Sequence, residues 1–339
     1  MKLIKTEEAV GHVLCHDLTQ IIRDQYKDAR FRKGHVVTEE DIPVLLSMGK
    51  EHLYVWEMTP GMLHENDAAE RLYALCANGH MDRSEVKEGK IELKAACDGL
   101  FRVNSERLIA VNTVEDIMIA TRKGGTAVRK GDKLAGMRVI PLIIPEEKLQ
   151  AVEQAAGDAP LLALKPWVRK TAAIVATGSE VKKGLIQDTF TPVVKDKLAA
   201  YGIETISVAY SGDGVENVAN AVTEARKTGS DVILCTGGMS VDPDDNTPGG
   251  IKQSGAQIVT YGAPVLPGAM FLLGYYDDGT PVMGLPGCVM YAGATIFDLV
   301  LPFVAADVPV TRQQIVALGE GGLCLGCKPC HWPACPFGK

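Results

Sequence analysis

At 339 residues the chain is too long for one average domain, and a composition of 46% hydrophobic and 23% charged residues supports a sizeable core. A net charge of −7 argues against a nucleic-acid partner, because the phosphate backbone calls for a basic face. It leaves open a small anionic ligand held by backbone N–H groups.

The first residues carry Lys2 and Lys5, then Glu7 and Glu8, with no apolar run behind them, which is not the pattern of a secretory signal. The most apolar late stretch, residues 291–306, contains Asp298 and Pro302 and is too short to span a bilayer. A cytoplasmic protein without a membrane partner is the expectation. Residues 39–48 have helical spacing, and residues 53–55 make a short strand. In residues 66–77 the spacing puts Ala69, Leu72, Tyr73 and Cys76 on one helical face. Residues 108–111 and 139–144 read as strands, the second stopped by Pro145, and a helix follows over 146–156. Residues 157–166 break the periodicity and read as a linker.

From Lys170 the rhythm becomes strand, glycine turn, helix. Residues 172–176 (AAIVA) form a near-continuous apolar run, as a strand covered on both faces requires. Strands follow at 203–209 and 231–235, with helices over 190–201 and 215–229. Phe271 to Tyr276 and Pro281 to Leu285 flank Asp277-Asp278-Gly279, a hairpin signal. The expected class is therefore α/β: a mostly parallel sheet with helices on both faces over residues 169–309. A smaller mixed α+β region over 1–168 precedes it, and a cysteine-rich tail over 310–339 follows.

In an open parallel sheet the ligand crevice lies outside the C-terminal ends of the strands. Three glycine loops fall there: TGSEV at 177–181, TGGMSVDPDD at 236–245 and GLPG at 284–287. Glycine allows close approach of the backbone to an anion, and two of the loops add the hydroxyls of Thr177, Ser179, Thr236 and Ser240. GLPG is expected to open directly into a helix near Val289, which would aim its N–H groups at a phosphate. Acids accompany the loops: Glu180, Asp188, Asp213, Asp242, Asp244 and Asp245. Carboxylates beside an anion crevice need a bridging cation, and Mg²⁺ prefers such ligands. Asp188, two residues before Phe190, also suits a helix cap.

The ordered set of TGSEV, an aspartate near a helix start, TGGMSVDPDD, the turn Pro267-Gly268 and GLPG resembles the molybdopterin-binding domain. That family is shared by molybdopterin adenylyltransferases, molybdotransferases and gephyrin. Residues 9–19 (AVGHVLCHDLT) and 31–49 (FRKGHVVTEEDIPVLLSMG) resemble the molybdotransferase branch more loosely. The resemblance implies that Thr177, Gly178, Ser179, Thr236, Gly237, Gly238, Ser240, Pro267, Gly268 and the loop Gly284, Leu285, Pro286, Gly287 hold the pterin and its phosphate. It implies that Glu180, Asp213 and Asp245 act near molybdate or Mg²⁺, with Asp245 a metal ligand. The chain departs from the family at Asp242, where glycine is usual, at Ala269-Met270, where a lysine is usual, and at Cys288, where asparagine is usual. The lost lysine removes a cation, which harms catalysis more than pterin binding.

Four of the nine cysteines fall in the tail: Cys324, Cys327, Cys330 and Cys335, with His331 among them. Thiols at this spacing suit Zn²⁺ or an iron–sulfur cluster, and the glycines at 319, 321 and 322 suit a flexible tether. The implied function is molybdenum cofactor biosynthesis: binding of molybdopterin or its adenylylated form, with assistance to molybdate insertion. The competing reading is a non-catalytic carrier or sensor that delivers cofactor to a molybdoenzyme through the tail. Adenylyl transfer fits less well. Expected partners are molybdopterin, molybdate, a molybdoenzyme and a second copy of the chain in a dimer.

Overall fold

The computed structural model describes residues 2–22, 26–55, 60–242 and 245–339. The chain divides into two compact units. One comprises residues 1–97, 101–124 and 129–164, and the other 98–100, 125–128 and 165–339. No helix among the described residues is long and apolar enough to cross a membrane.

Antiparallel pairs build most of the first unit. Lys2–Lys5 pairs with His52–Val55, and Leu18–Ile22 pairs with Tyr26–Phe31. These segments and the helix Asp41–Ser47 bury Ile4, Leu14, Leu18, Phe31, Leu45 and Leu53. A four-stranded sheet orders Met81–Arg83, Lys90–Ala95, Lys133–Val139 and Ile117–Thr121. The helix Glu65–Cys76 buries Ala69, Leu72 and Cys76 of the predicted face, whereas Tyr73 is only half-buried and has the Arg83 guanidinium over its ring.

Three expectations fail in this unit. Residues 108–111 lie inside the helix Ser105–Asn112, because Asn104 caps it by accepting from the Arg107 N–H at 3.1 Å. A four-residue apolar run cannot by itself separate strand from helix. Residues 139–144 belong to two strands, Lys133–Val139 and Ile143–Pro145, in different sheets, with Pro141 between them. The expected linker contains a strand, Leu162–Pro166, whose Leu162 and Leu164 are buried.

His64 caps the helix Glu65–Cys76. Its Nε2–H donates to the Cys15 carbonyl at 2.5 Å, which leaves Nδ1 to accept from Lys33 Nζ at 2.8 Å and from the Asn66 N–H at 3.1 Å. Burial, then the Lys33 charge, hold His64 below the ordinary imidazole range. The folded state therefore resists a proton that the unfolded chain accepts. The stability this contributes is complete above the ordinary histidine value of about 6.5 and falls as pH drops through it towards the folded pKa. His64→Asn, which can still cap, is expected to flatten the loss between pH 7 and 5 in urea melts. An unchanged slope would remove His64 from the account. His16, lowered by burial and by Lys50, retains its own share.

The second unit is built on six strands. They are β1 (Thr171–Thr177), β2 (Glu204–Ser211), β3 (Val232–Thr236), β4 (Gln257–Tyr261), β5 (Leu272–Tyr275) and β6 (Pro281–Leu285). They stand in the order β2-β1-β3-β6-β5-β4, parallel except for β5. The helices are α1 (Phe190–Ala199), α2 (Val215–Lys227), α3 (Thr247–Gln253), α4 (Ile296–Ala305) and α5 (Arg312–Ala317).

The period-two alternation of the strands sorts their side chains. Ala172, Ile174, Val232 and Leu234 pack with Val194 and Leu198 of α1 and with Phe297 and Val300 of α4. Ala173, Val175, Ile233 and Cys235 pack with Val218 and Val222 of α2 and Ile251 of α3. Covering both faces is what demands the unbroken apolar runs of β1 and β3. The doubly covered, parallel-rich sheet expected for residues 169–309 is thus present.

Candidate functional site

The register brings four strand ends level: Thr177 lies beside Ser211, Ala176 beside Thr236, and Thr236 beside Leu285. The loops that leave β1, β2, β3 and β6 therefore emerge at one end of the sheet. Beyond β1 the chain turns outward to β2, and afterwards crosses back to β3 on the other side. The boundary between β1 and β3 is thus the topological switch point, where α/β sheets open a crevice.

Hydroxyls close the floor of that crevice. Thr177 Oγ1 donates to the Thr236 carbonyl at 3.0 Å and lies 2.9 Å from Thr247 Oγ1, which donates to the Gly237 carbonyl at 2.8 Å. All three threonines are buried. Thr247 was not legible as a site residue, although Thr-Pro at the start of α3 marks a helix beginning there.

The loop glycines divide by what surrounds them. A Cβ on Gly237 would stand 2.3 Å from the Thr177 carbonyl oxygen, and one on Gly238 2.7 Å from Thr247 Oγ1. One on Gly284 would meet Met239 Sδ at 2.5 Å, and one on Gly268 would meet Ile296 Cγ2 at 2.4 Å. These four are required by the protein's own packing. Gly178 sits at φ +135° with the Glu180 carboxylate beside it. Gly287 is different: it is exposed, and a Cβ there would meet nothing within 4 Å. Leu285 and Pro286 are buried, so their side chains face the core, whereas Ser240 is exposed. Pro267 seats α4, its carbonyl accepting from the Ile296 N–H at 3.3 Å.

The helix expected to follow GLPG directly is displaced. Gly287–Met290 forms a single 3₁₀ turn, and α4 begins only at Ile296. Thr295 and Asp298 form its capping box, and that local signal sets the start. An anion at GLPG would therefore meet the amides of a turn, with no long helix dipole behind them.

The acidic residues are dispersed among separate tasks. Asp213 Oδ1 accepts from the Ser179 N–H at 3.3 Å, and the Asp213 N–H donates to Ser179 Oγ at 3.4 Å, tying two crevice loops together. The Asp245 N–H donates to the Asp242 carbonyl at 2.9 Å. The Asp245 charge stands near Tyr261, whose hydroxyl donates to the Met239 carbonyl at 3.0 Å and whose pKa is raised, by burial first and by Asp245 second. Asp188 caps α1 through Oδ1, at 3.0 Å from the N–H groups of both Phe190 and Thr191. Pro243 and Asp244 lie outside the described residues. No group of three or more His, Cys, Asp or Glu among the described residues could hold a metal ion. Glu180, Asp213 and Asp245 as placed do not fit a shared Mg²⁺ site. A cation missed in the sequence is Lys182, whose Nζ lies 3.9 Å from where a Cβ on Gly212 would stand.

The tail is packed rather than tethered. The Leu266 N–H donates to the Gly322 carbonyl, and the Cys324 N–H to that of Leu266, each at 2.8 Å. Phe337 is 2% exposed in the core beneath α4, with Trp332 edge-on to it at 5.8 Å. Cys324 and Cys335 rest against that core, Cys330 stands over Gly293, and Cys327 is exposed. The four thiols as placed do not fit a tetrahedral metal site.

A separate cavity of about 260 Å³ opens at the opposite end of the sheet, lined by Arg169, Tyr275 and Asp307 among others. Arg169 there already donates to the carbonyls of Asp231 and Gly279 and to Asp307. Its guanidinium is a structural clamp at the strand starts.

An α/β sheet with glycine loops gathered at its switch point defines a small-ligand binding domain. Residues 173–306 match the family described as a probable molybdopterin binding domain, the family that the ordered loops resemble. Residues 3–57 match a domain of unknown function (DUF8806). A CinA-like protein of Pseudothermotoga lettingae is 35% identical over 85 residues, 25% of this chain and 21% of that protein. A probable FAD synthase of Caenorhabditis briggsae is 32% identical over 84 residues, 25% of this chain and 16% of that protein. The chain thus spans about a fifth of the length of these curated relatives. A solved molybdopterin biosynthesis MoeA protein from Pyrococcus horikosii is 16% identical with TM-score 0.34, over 91% of this chain and 75% of that one.

Proposed function

We propose that the crevice binds molybdopterin, or its adenylylated form, in molybdenum cofactor biosynthesis, with the phosphate against the turn that begins at Gly287. One observation carries this reading. Among the glycines of the three loops and the Pro267-Gly268 turn, Gly287 alone presents an unobstructed backbone face without the left-handed conformation, at the sheet end where ligands bind. The motif glycines around it serve packing, so its openness is not explained by the fold. Lys182 supplies a cation near the crevice in place of the lysine absent at Ala269-Met270.

Gly287→Val tests the assignment cleanly, because the added side chain meets no protein atom at its Cβ. Affinity for a pterin monophosphate is expected to fall on the order of 100-fold, the loss of one or two N–H contacts to a charged group at about 1.5–3 kcal/mol each. The circular dichroism spectrum should stay that of the parent. Unchanged affinity in the folded variant would sink the assignment.

A second reading, carriage without catalysis, is favoured by the dispersal of Glu180, Asp213 and Asp245. Incubation of the protein with adenylylated molybdopterin, Mg²⁺ and molybdate separates the two. Release of AMP that is lost in Asp245→Asn supports molybdate insertion, and retention of intact ligand supports carriage.

A further inference from the structure

The core claims only two of the four tail thiols. Cys324 and Cys335 rest half-buried against it, whereas Cys327 and Cys330 are exposed. This exposure is not that of a frayed end. The Cys324 N–H is bonded to the Leu266 carbonyl on one side of the pair and Phe337 is buried on the other, so residues 325–336 form a loop pinned at both ends. An exposed thiol adds nothing to packing and invites oxidation, so two of them on a pinned loop point to reactivity as their use.

Two pairs in the tail have two residues between the thiols, Cys324 with Cys327 and Cys327 with Cys330. The structure selects the second. The chain bends at both Lys328 and Pro329, which brings the flanking cysteines nearer than an extended chain would, as the short reach of a disulfide requires. The Cys330 Sγ would lie 2.7 Å from a Cβ on Gly293, so its sulfur rests on the backbone of that glycine. Cys327 thus offers the open sulfur to an incoming disulfide, and Cys330, backed by Gly293, is the thiol that resolves it. Charge narrows the oxidant. In a chain of net charge −7, residues 323–339 hold Lys328 and Lys339 and no Asp or Glu. Lys339 Nζ donates to the Pro333 carbonyl, which keeps that ammonium over the loop. Positive charge beside the pair favours encounter with a small anionic disulfide over a cationic one.

We propose that Cys327 and Cys330 are a redox couple that exchanges with small anionic disulfides of the glutathione class. The Cys327 thiolate attacks one sulfur of the incoming disulfide, forming a mixed disulfide and expelling one thiolate. The Cys330 thiolate then attacks the Cys327 sulfur, closes the protein disulfide and expels the second. The protein loses two electrons and two protons, the small disulfide becomes two thiols, and an excess of the small thiol drives the steps back.

The test equilibrates the full chain, first reduced, with mixtures of oxidised and reduced glutathione, followed by acid quenching, alkylation and mass mapping. One disulfide between Cys327 and Cys330 is expected. Its ratio of closed to open form should be on the order of tenfold greater in the folded chain than in the same chain in urea, because the pinned loop already holds the bend. Cys330→Ser should stop at the glutathione adduct of Cys327, while Cys324→Ser, folded by circular dichroism, should close like the parent. Lys328→Gln should slow closure by oxidised glutathione severalfold and leave closure by the cationic disulfide cystamine unchanged. Equal slowing with both would overturn the choice of an anionic oxidant. A disulfide to Cys324 or Cys335 instead, or equal closure in urea, would overturn the couple itself. So would zinc or iron held at a near-stoichiometric level by the purified chain, with Cys327 and Cys330 shielded from alkylation.

Discussion

Phe337→Ala is expected to destabilise the protein by about 3–5 kcal/mol, the usual loss when a buried aromatic side chain is cut to alanine. The tail is anchored at both ends. Near its start the Leu266 N–H donates to the Gly322 carbonyl and the Leu266 carbonyl accepts from the Cys324 N–H, while Phe337 enters the core beneath α4 and Gly338 passes so close to Leu299 that a Cβ would stand 2.3 Å from its Cδ2. Since no metal-ligating group of three exists among the described residues, a chelator should leave the urea midpoint where it was. The opposite pattern, a chelator-sensitive midpoint with little effect from Phe337→Ala, would return the cysteines to the metal-binding role that their spacing suggested.

Gly237→Ala is expected to cost about 2–6 kcal/mol, adding the strain of a left-handed backbone to that of an overfilled site. Gly237 has φ +83°, and the new methyl would lie 2.3 Å from the Thr177 carbonyl oxygen, which is backbone and cannot swing aside. The floor held by Thr177, Thr236 and Thr247 would have to open. Gly287→Ala, in a loop that looks equivalent in sequence, should change stability by no more than about 0.5 kcal/mol. Denaturant midpoints of the two variants, measured side by side, check the contrast. A Gly237→Ala protein as stable as its parent would mean that the loop does not approach Thr177 as described.

The C-terminal sheet was legible because its signals are local. An apolar run such as AAIVA has no place to go but the interior of a doubly covered sheet, and Asp277-Asp278-Gly279 between two apolar runs turns β5 back on β6. The N-terminal unit was less legible. Leu108–Ile109–Ala110–Val111 is too short for its period to be read, and the cap at Asn104 decided for helix. Residues 157–166 look like a linker until Leu162 and Leu164 find a core.

For the candidate site, the residues by themselves determined which loops stand at the strand ends and that glycines and hydroxyls crowd there. Tertiary structure alone decided what each does. Gly237 and Gly287 are the same residue type in similar motifs, and one faces a carbonyl while the other faces open space. Asp188 reads as a cap, and only its surroundings leave Oδ2 buried without a partner among the described residues. The spacing of the tail cysteines suggests a cluster, but the bonds of Leu266 and the burial of Phe337 direct the thiols apart. Spacing along a chain reports torsional preference and periodicity, which are properties of neighbours. The space beside an atom is filled by residues tens of positions away, so it is fixed only when the core closes.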